Sequence, residues 1–342
     1  MDERPFISII MPVYNAERYL TAAVQSVLGQ GFRDLELICV NDCSTDNSLS
    51  VLQTLAAGDS RLQIVSAEKN GGPGAARNLG LACARGVYIG FADTDDAFAP
   101  RLLEQVVPRL LENNADEIVW GLTEIYFAGD GTEKKRNDVI PADGMYCGDR
   151  IPAAVAQLEE QTLFGYQWNS LYRASILNTY QIRFNTDTLY EDFTFNIDFI
   201  AHAQTLCVCG ISGYHYVRHA GSVTHGFIPD YYVLSEKRIA RMTEYLEQNG
   251  ALTRENASIL ANRLLRYMLS ALGRNASRAA KLSVREQKKR VEQMKTSPLT
   301  KRLLYDPSVT ISKTYRPAAF VIKSCPAFAA LLTGKAVALV YR

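Results

Sequence analysis

The chain has 342 residues, 47% of them hydrophobic and 21% charged, with a formal net charge of +1. That composition excludes a disordered, collagenous or disulfide-framework protein, and the length suits one large domain plus an appendage or a second domain. No uninterrupted apolar run approaches the roughly 20 residues that a membrane-spanning helix needs.

Residues Met1 to Pro5 lead straight into a strand, so no signal peptide is expected. Ile7 to Met11 is apolar nearly throughout and reads as a central parallel strand, broken by Pro12-Val13-Tyr14-Asn15. Tyr19, Leu20, Ala23, Val24, Val27 and Leu28 follow at helical spacing, and the helix stops at Gly29 to Gly31. Leu35 to Val40 is a second strand, running into a loop that ends at Ser48 with helix-capping chemistry. The next helix buries Val51, Leu52 and Leu55. Leu62 to Val65 is a third strand, Asn70 to Asn78 opens a third helix, and Val87 to Ala92 is a fourth strand. This alternation predicts an α/β protein with a doubly wound, mostly parallel sheet.

A helix over Leu102 to Leu111 and a strand over Ile118 to Phe127 come next. Residues 129–144 read as a mobile polar loop. Trp168 to Tyr172 reads as a short strand or turn. Glu191-Asp192 opens a helix through His202, and Tyr214 to Arg218 alternates like a strand. From Tyr231 onward the chain reads as helical, giving domains of 1–228 and 229–342. Seven cysteines include no CxxC pair, and buried reduced thiols of a cytosolic protein are expected.

Chemistry concentrates at the strand ends. Asp93, Asp95 and Asp96 follow an apolar strand, where carboxylates are costly to bury without a cation or donors. Asp-x-Asp at the carboxyl end of a strand suits Mg²⁺ or Mn²⁺ with phosphate oxygens, whereas a lone acidic triplet also reads as a helix-capping loop. Asp42 reads either as an acceptor for a base N–H or ribose hydroxyl, or as an Asx turn. Tyr14 reads as a base-stacking ring or a rim aromatic. Gly71-Gly72-Pro73-Gly74 lacks both G-x-G-x-x-G and the P-loop Lys-Ser/Thr, so its glycines read as a close approach of backbone to ligand. Arg77 in that turn can meet an anion.

Pro12-Val13-Tyr14-Asn15, Asn41-Asp42-Cys43-Ser44-Thr45-Asp46, Gly74-Ala75-Ala76-Arg77-Asn78-Leu79-Gly80 and Asp93-Thr94-Asp95-Asp96 resemble, in order and spacing, the successive motifs of family 2 glycosyltransferases. The resemblance covers about residues 5–225. It implies the GT-A fold with a nucleotide-binding crevice, and inverting transfer of one sugar from a nucleotide-diphosphate donor, most often a UDP-sugar. By similarity, Tyr14 and Asp42 hold the base, Asp93 lies near the ribose and Asp95 binds Mn²⁺ or Mg²⁺, with Asp93 as a second candidate ligand. Pro12, Arg77, Thr94 and Arg218 complete the candidate donor-binding set. The family usually has Asp-Asp-Gly where this chain has Asn41-Asp42-Cys43. Glu191-Asp192 resembles the family's acidic pair under the acceptor site. Asp192 is the candidate general base and Glu191 its orienting partner, although both also read as helix caps. Tyr216 to Thr224 resembles the segment that closes over the diphosphate, with Arg218 as clamp. His215, His219 and His225 read as metal ligands or surface histidines, and Trp168 as an acceptor wall or core.

Two other classes compete. A nucleotidyltransferase would carry a Gly-rich basic loop directly after the first strand, where this chain has Pro12 to Asn15. A non-catalytic nucleotide- or anion-binding module would use the basic end. From Gly273 onward, 15 Lys and Arg face 3 Asp and Glu, a balance of +12, against 22 and 33 elsewhere, −11. Few aromatics interleave the basic run, so no nucleic-acid partner is expected. Gln-x-x-Arg-Trp of processive synthases is absent. The expected partners are a nucleotide-sugar donor, a glycan or lipid-linked acceptor and an anionic membrane surface touched by the tail, with packing on the catalytic domain or on a second subunit, as a homo-oligomer, the other use of that tail. A cytoplasmic chain, peripheral at the inner face of the membrane, follows.

Overall fold

The computed structural model describes residues 4–128, 131–186, 190–218 and 228–340, with side chains to 337. The chain forms two compact units: Met1–Ile151 with Gln161–Ala220, and Pro152–Glu160 with Gly221–Arg342. The second unit thus recruits residues 152–160, which no linear boundary near 228 anticipates.

The first unit holds one ten-stranded sheet. Its strands are β1 (Ile7–Val13), β2 (Leu35–Asn41), β3 (Leu62–Ser66), β4 (Tyr88–Phe91), β5 (Ala97–Phe98), β6 (Glu117–Phe127), β7 (Glu133–Val139), β8 (Gly144–Cys147), β9 (Ser170–Arg173) and β10 (Thr205–Arg218). The order is β3-β2-β1-β4-β9-β6-β10-β5, with β7 on β6 and β8 on β10. β3, β2, β1 and β4 are parallel, as are β6 and β10, while β9 runs antiparallel between β4 and β6. Helices α1 (Leu20–Leu28), α2 (Ser48–Gly58), α3 (Gly72–Cys83) and α4 (Leu102–Glu112) connect the early strands; α5 (Ile151–Glu160), α6 (Ala174–Thr179) and α7 (Glu191–Ile200) follow.

All of β2 is buried, as is β1 apart from Pro12, which is why both read as continuous apolar runs. Val13 pairs with Asn41 and Ile10 with Phe91, so β2, β1 and β4 end side by side. The amides of Asp42 and Ala92 extend this pairing, donating to Val13 O (2.8 Å) and Ile10 O (3.0 Å). The edge carrying Tyr14, Asp42 and Asp93 is therefore one continuous ledge.

Residues 131–144 differ from the polar loop that the sequence predicts, because β7 pairs along β6 and Gly144 starts β8. Glu133 to Asp138 is exposed at every position, so no periodicity marks it as a strand. The buried β6 supplies the template, and charge on this edge strand opposes further pairing.

The second unit comprises residues 152–160 of α5 and the helices α8 (Tyr231–Gln248), α9 (Arg254–Ala276), α10 (Val284–Thr296), α11 (Pro298–Leu304), α12 (Arg316–Ser324) and α13 (Ala327–Val340). Glu159 is fully buried and accepts from Arg238 Nη2 (2.7 Å) and Arg263 Nε (3.1 Å). Gly334 of α13 lies so close to α9 that a Cβ would stand 2.7 Å from Leu272 O.

Candidate active site

The ledge is shaped from the Asp42 end. Its carboxylate, 3% exposed, accepts from the amides of Gly71 (2.9 Å) and Gly72 (2.8 Å) at the start of α3. An anionic side chain satisfies the orphan donors of that terminus. Gly72 turns the chain at φ +79°, a conformation that glycine adopts without strain. Cys43, beside Asp42, also has a left-handed φ of 58°. Tyr14, just beyond β1, is 52% exposed, and Pro12 is half-buried within β1.

Arg77 lies in the body of α3, its side chain 5% exposed, and the anions it meets are the protein's own. Nη2 donates to Asp93 Oδ1 at 2.9 Å, and Nη1 donates to Glu191 Oε1 at 2.9 Å and Asp192 Oδ1 at 3.1 Å. Burial opposes the Arg77 charge, but Asp192, Asp93 and Glu191 outweigh it and fix the guanidinium as a cation. Burial lifts the Glu191 carboxyl above its ordinary range, with Arg77 pulling the other way. Four candidate residues from α3, the turn after β4 and α7 are thus one ion cluster. Asp93 lies 16 residues from Arg77 in the chain, and Glu191 114.

Gln167, fully buried, joins the cluster from the turn before β9. With its amide nitrogen toward the carboxylate and its oxygen toward the guanidinium, Gln167 donates to both oxygens of Asp192 (3.2 and 3.1 Å). It then accepts from Arg77 Nη2 (2.7 Å) and Nε (3.1 Å). The opposite orientation would set oxygen against oxygen and nitrogen against nitrogen, so the network assigns it.

Thr94 is half-buried, Asp95 exposed and Asp96 5% exposed. Asp96 accepts from the Val217 amide at 2.8 Å, which brings the end of β10 to the acidic turn. Burial, then the charges of Asp93 and Asp95, push the Asp96 carboxyl well above its usual range. The Asp93 amide donates to the Tyr214 hydroxyl at 3.1 Å. Tyr214 stacks on Trp168 (4.0 Å between centroids, 12°) and Trp168 on Tyr166 (4.4 Å, 19°). Trp168 itself is 2% exposed, sealed inside the stack.

Arg218 ends β10 and donates to Glu124 Oε1 (2.7 Å) and to the Tyr216 hydroxyl (3.1 Å). His215 is half-buried, and burial lowers its pKa. His219 and His225 lie outside the described residues. Among the described residues no group of three or more His, Cys, Asp or Glu side chains is arranged to hold a metal.

Sequence reasoning missed Gln167 and Tyr214, since neither belongs to a motif. It assigned no separate role to Asp96, whose place in the acidic triplet was the available signal.

The family model for glycosyl transferase family 2 matches residues 8–181. Among curated relatives, the chain is 28% identical over 224 residues to the uncharacterized glycosyltransferase EpsJ of Bacillus subtilis, spanning 64% of this chain and 63% of EpsJ. It is 39% identical over 111 residues to the putative teichuronic acid biosynthesis glycosyltransferase TuaG of the same organism, 32% of this chain and 44% of TuaG. These matches therefore span less than two thirds of either relative. Among solved structures, S. aureus TarS 1–349 superposes with a TM-score of 0.65 at 19% identity, covering 98% of this chain and 91% of TarS. TarS has also been solved with UDP-GlcNAc (TM-score 0.64, 20% identity, the same coverage).

Proposed function

The chain belongs to glycosyl transferase family 2 and has the GT-A fold, and we propose that it transfers one sugar from a UDP-sugar, with inversion, to a hydroxyl of a glycan or lipid-linked glycan. The observation that carries this reading is the gathering of Asp93, Glu191 and Asp192 on Arg77, beside the ends of β1, β2 and β4. One guanidinium joins a donor-side carboxylate to an acceptor-side pair. UDP-GlcNAc in TarS and the teichuronic acid of TuaG's name support a UDP donor and an envelope-glycan acceptor.

The chemistry follows from the placement. The ledge of Pro12, Tyr14 and Asp42 receives the base. Asp192 takes the proton of the acceptor hydroxyl as its oxygen attacks the anomeric carbon; the bond from that carbon to the diphosphate breaks and UDP leaves. Glu191, on the same guanidinium, orients the pair. Asp95 and Asp93 would hold Mn²⁺ or Mg²⁺, Asp95 being exposed and Asp93 giving Oδ1 to Arg77, since such ions commonly take one or two carboxylates plus substrate phosphates and water. When bound, the ion neutralises charge developing on the leaving diphosphate. Asp95→Ala should abolish divalent-dependent UDP release and weaken donor binding. Full activity of Asp95→Ala in EDTA would sink the metal assignment.

The second unit supports a peripheral membrane role at the cytoplasmic face. α13 buries Ala330 and Leu331, yet Phe320 of α12 and Phe328 and Leu332 of α13 are 64%, 58% and 52% exposed. No helix among the described residues is long and apolar enough to cross a membrane. Exposed aromatics with a +12 tail suit an anionic bilayer, where each basic residue contributes about 1 kcal/mol. The full chain should co-sediment with anionic vesicles, less so in high salt, and the Phe320→Ser/Phe328→Ser variant should lose binding. Self-association in place of vesicle binding would assign the same face to a second copy of the chain.

A further inference from the structure

We propose that Gln167 is a positioning residue for the transfer reaction, acting through Asp192. The inference rests on the reading of Asp192 as the base, and it concerns a side chain that no motif marks.

Three observations carry it. The Gln167 amide spans Asp192 and Arg77, its nitrogen within donating distance of both carboxylate oxygens and its oxygen accepting from the guanidinium. Its four contacts lie between 2.7 and 3.2 Å, two from the nitrogen to the carboxylate and two from the guanidinium to the oxygen. Next, the turn that bears it is fastened independently. Asn196 of α7 donates to Phe164 O (2.7 Å) and Tyr166 O (2.8 Å), and Asn169 donates to Trp120 O and Leu163 O (both 3.0 Å). The turn is therefore held to α7 one helical turn beyond Asp192, and to β6 on its other side. Finally, Gln167 and Asn169 are fully buried and Asn196 is 2% exposed, so water does not replace these bonds at low cost.

A single amide nitrogen that faces both oxygens of Asp192 from a fixed turn resists rotation of the carboxylate about its Cβ–Cγ bond and favours one plane. Gln167 also keeps Arg77 from collapsing fully onto Asp192, because it takes two of the guanidinium N–H groups itself. A base aimed in advance is what a single displacement requires, since small misplacements of a catalytic group cost large factors in rate.

The test uses the full chain with a UDP-sugar and the acceptor on which it turns over. Gln167→Met keeps the volume and removes every hydrogen bond. Gln167→Glu keeps the acceptor toward Arg77 and removes the donors toward Asp192. Both should lower kcat by roughly 10- to 100-fold while the KM for the donor and UDP binding change less than about twofold. In an Asp192→Asn background either change should cost almost nothing more, because the group being positioned is already gone. A purely structural role would instead give additive losses and weaker UDP binding. If Gln167→Met does not fold, Gln167→Glu carries the test. Unchanged kcat in Gln167→Glu, or full additivity with Asp192→Asn, overturns the proposal. If Asp192→Asn itself keeps full kcat, the failure lies with the base assignment.

Discussion

Gly74 stands so near Glu191 that a Cβ on it would lie 2.4 Å from Glu191 Oε2. The missing side chain therefore leaves the room in which Glu191 reaches Arg77. Gly74→Ala should push Glu191 aside and destabilise the fold by about 1–3 kcal/mol, the usual cost of overpacking, with a matching loss of turnover. Shortening the intruding side chain makes room again, so Gly74→Ala/Glu191→Asp should recover part of the lost stability in urea unfolding. No recovery would mean that the contact is not what matters.

Arg77 forms ion pairs with Asp93, Glu191 and Asp192. Arg77→Met removes the charge and leaves three partly buried carboxylates to repel one another. Breaking buried pairs in this way costs about 3–5 kcal/mol. Arg77→Lys restores a charge that lacks the fork needed to span three partners, so it should fall between parent and Arg77→Met. Equal denaturation midpoints for parent and Arg77→Met would show that the cluster adds nothing to stability.

Glu117 opens β6 and is buried, which pushes its carboxyl up to about 8. The folded state therefore holds its proton more tightly than the unfolded chain does. Its protonated form imposes no cost below the ordinary carboxyl range. Stability should then fall as pH rises towards about 8 and level off above it, by at most about 1.4 kcal/mol per pH unit. Glu117→Gln should abolish this slope, matching the parent near pH 4.5 and exceeding it at pH 9. Parallel stability curves from pH 5 to 9 would contradict a cost of ionising Glu117 where burial outweighs its hydrogen bond with Ser170.

Cys43 occupies a left-handed backbone position at the place where the family pattern has glycine. Its thiol donates to Ala67 O at 3.3 Å, a weak return for the strain. Cys43→Gly relieves roughly 1 kcal/mol of that strain and should be neutral to slightly stabilising. Cys43→Val should cost more than 1 kcal/mol, since branching at Cβ is worst tolerated there. Thermal melting of the two variants decides it; the reverse ranking would mean that the thiol bond dominates.

The first four strands, their helices and the polar ends of β1, β2 and β4 were legible because each is local. A buried parallel strand is an apolar run, and a carboxylate after it is visible in the next residue. Glu133 to Val139 was not legible, since its strand character is borrowed from β6. The residues Pro12, Tyr14, Asp42, Asp93 and Asp192 could be named from motifs, but not their partners. Arg77 reads as a group waiting for an anion until the fold brings Glu191 and Asp192 to it. Gln167 gave no signal, because an amide acquires meaning only from what lies on either side of it.

Glu159 has a consequence for how such a chain can change over generations. Its two arginine partners are encoded 79 and 104 residues later, with β9 and β10 of the sheet encoded in between. A single genetic crossover near residue 220 would bring a foreign helical unit without Glu159's own partners, stranding a charge in an apolar interior. Exchange of the tail among relatives is therefore penalised unless the short segment 152–160 travels with it. The two stretches form one heritable module written in two places.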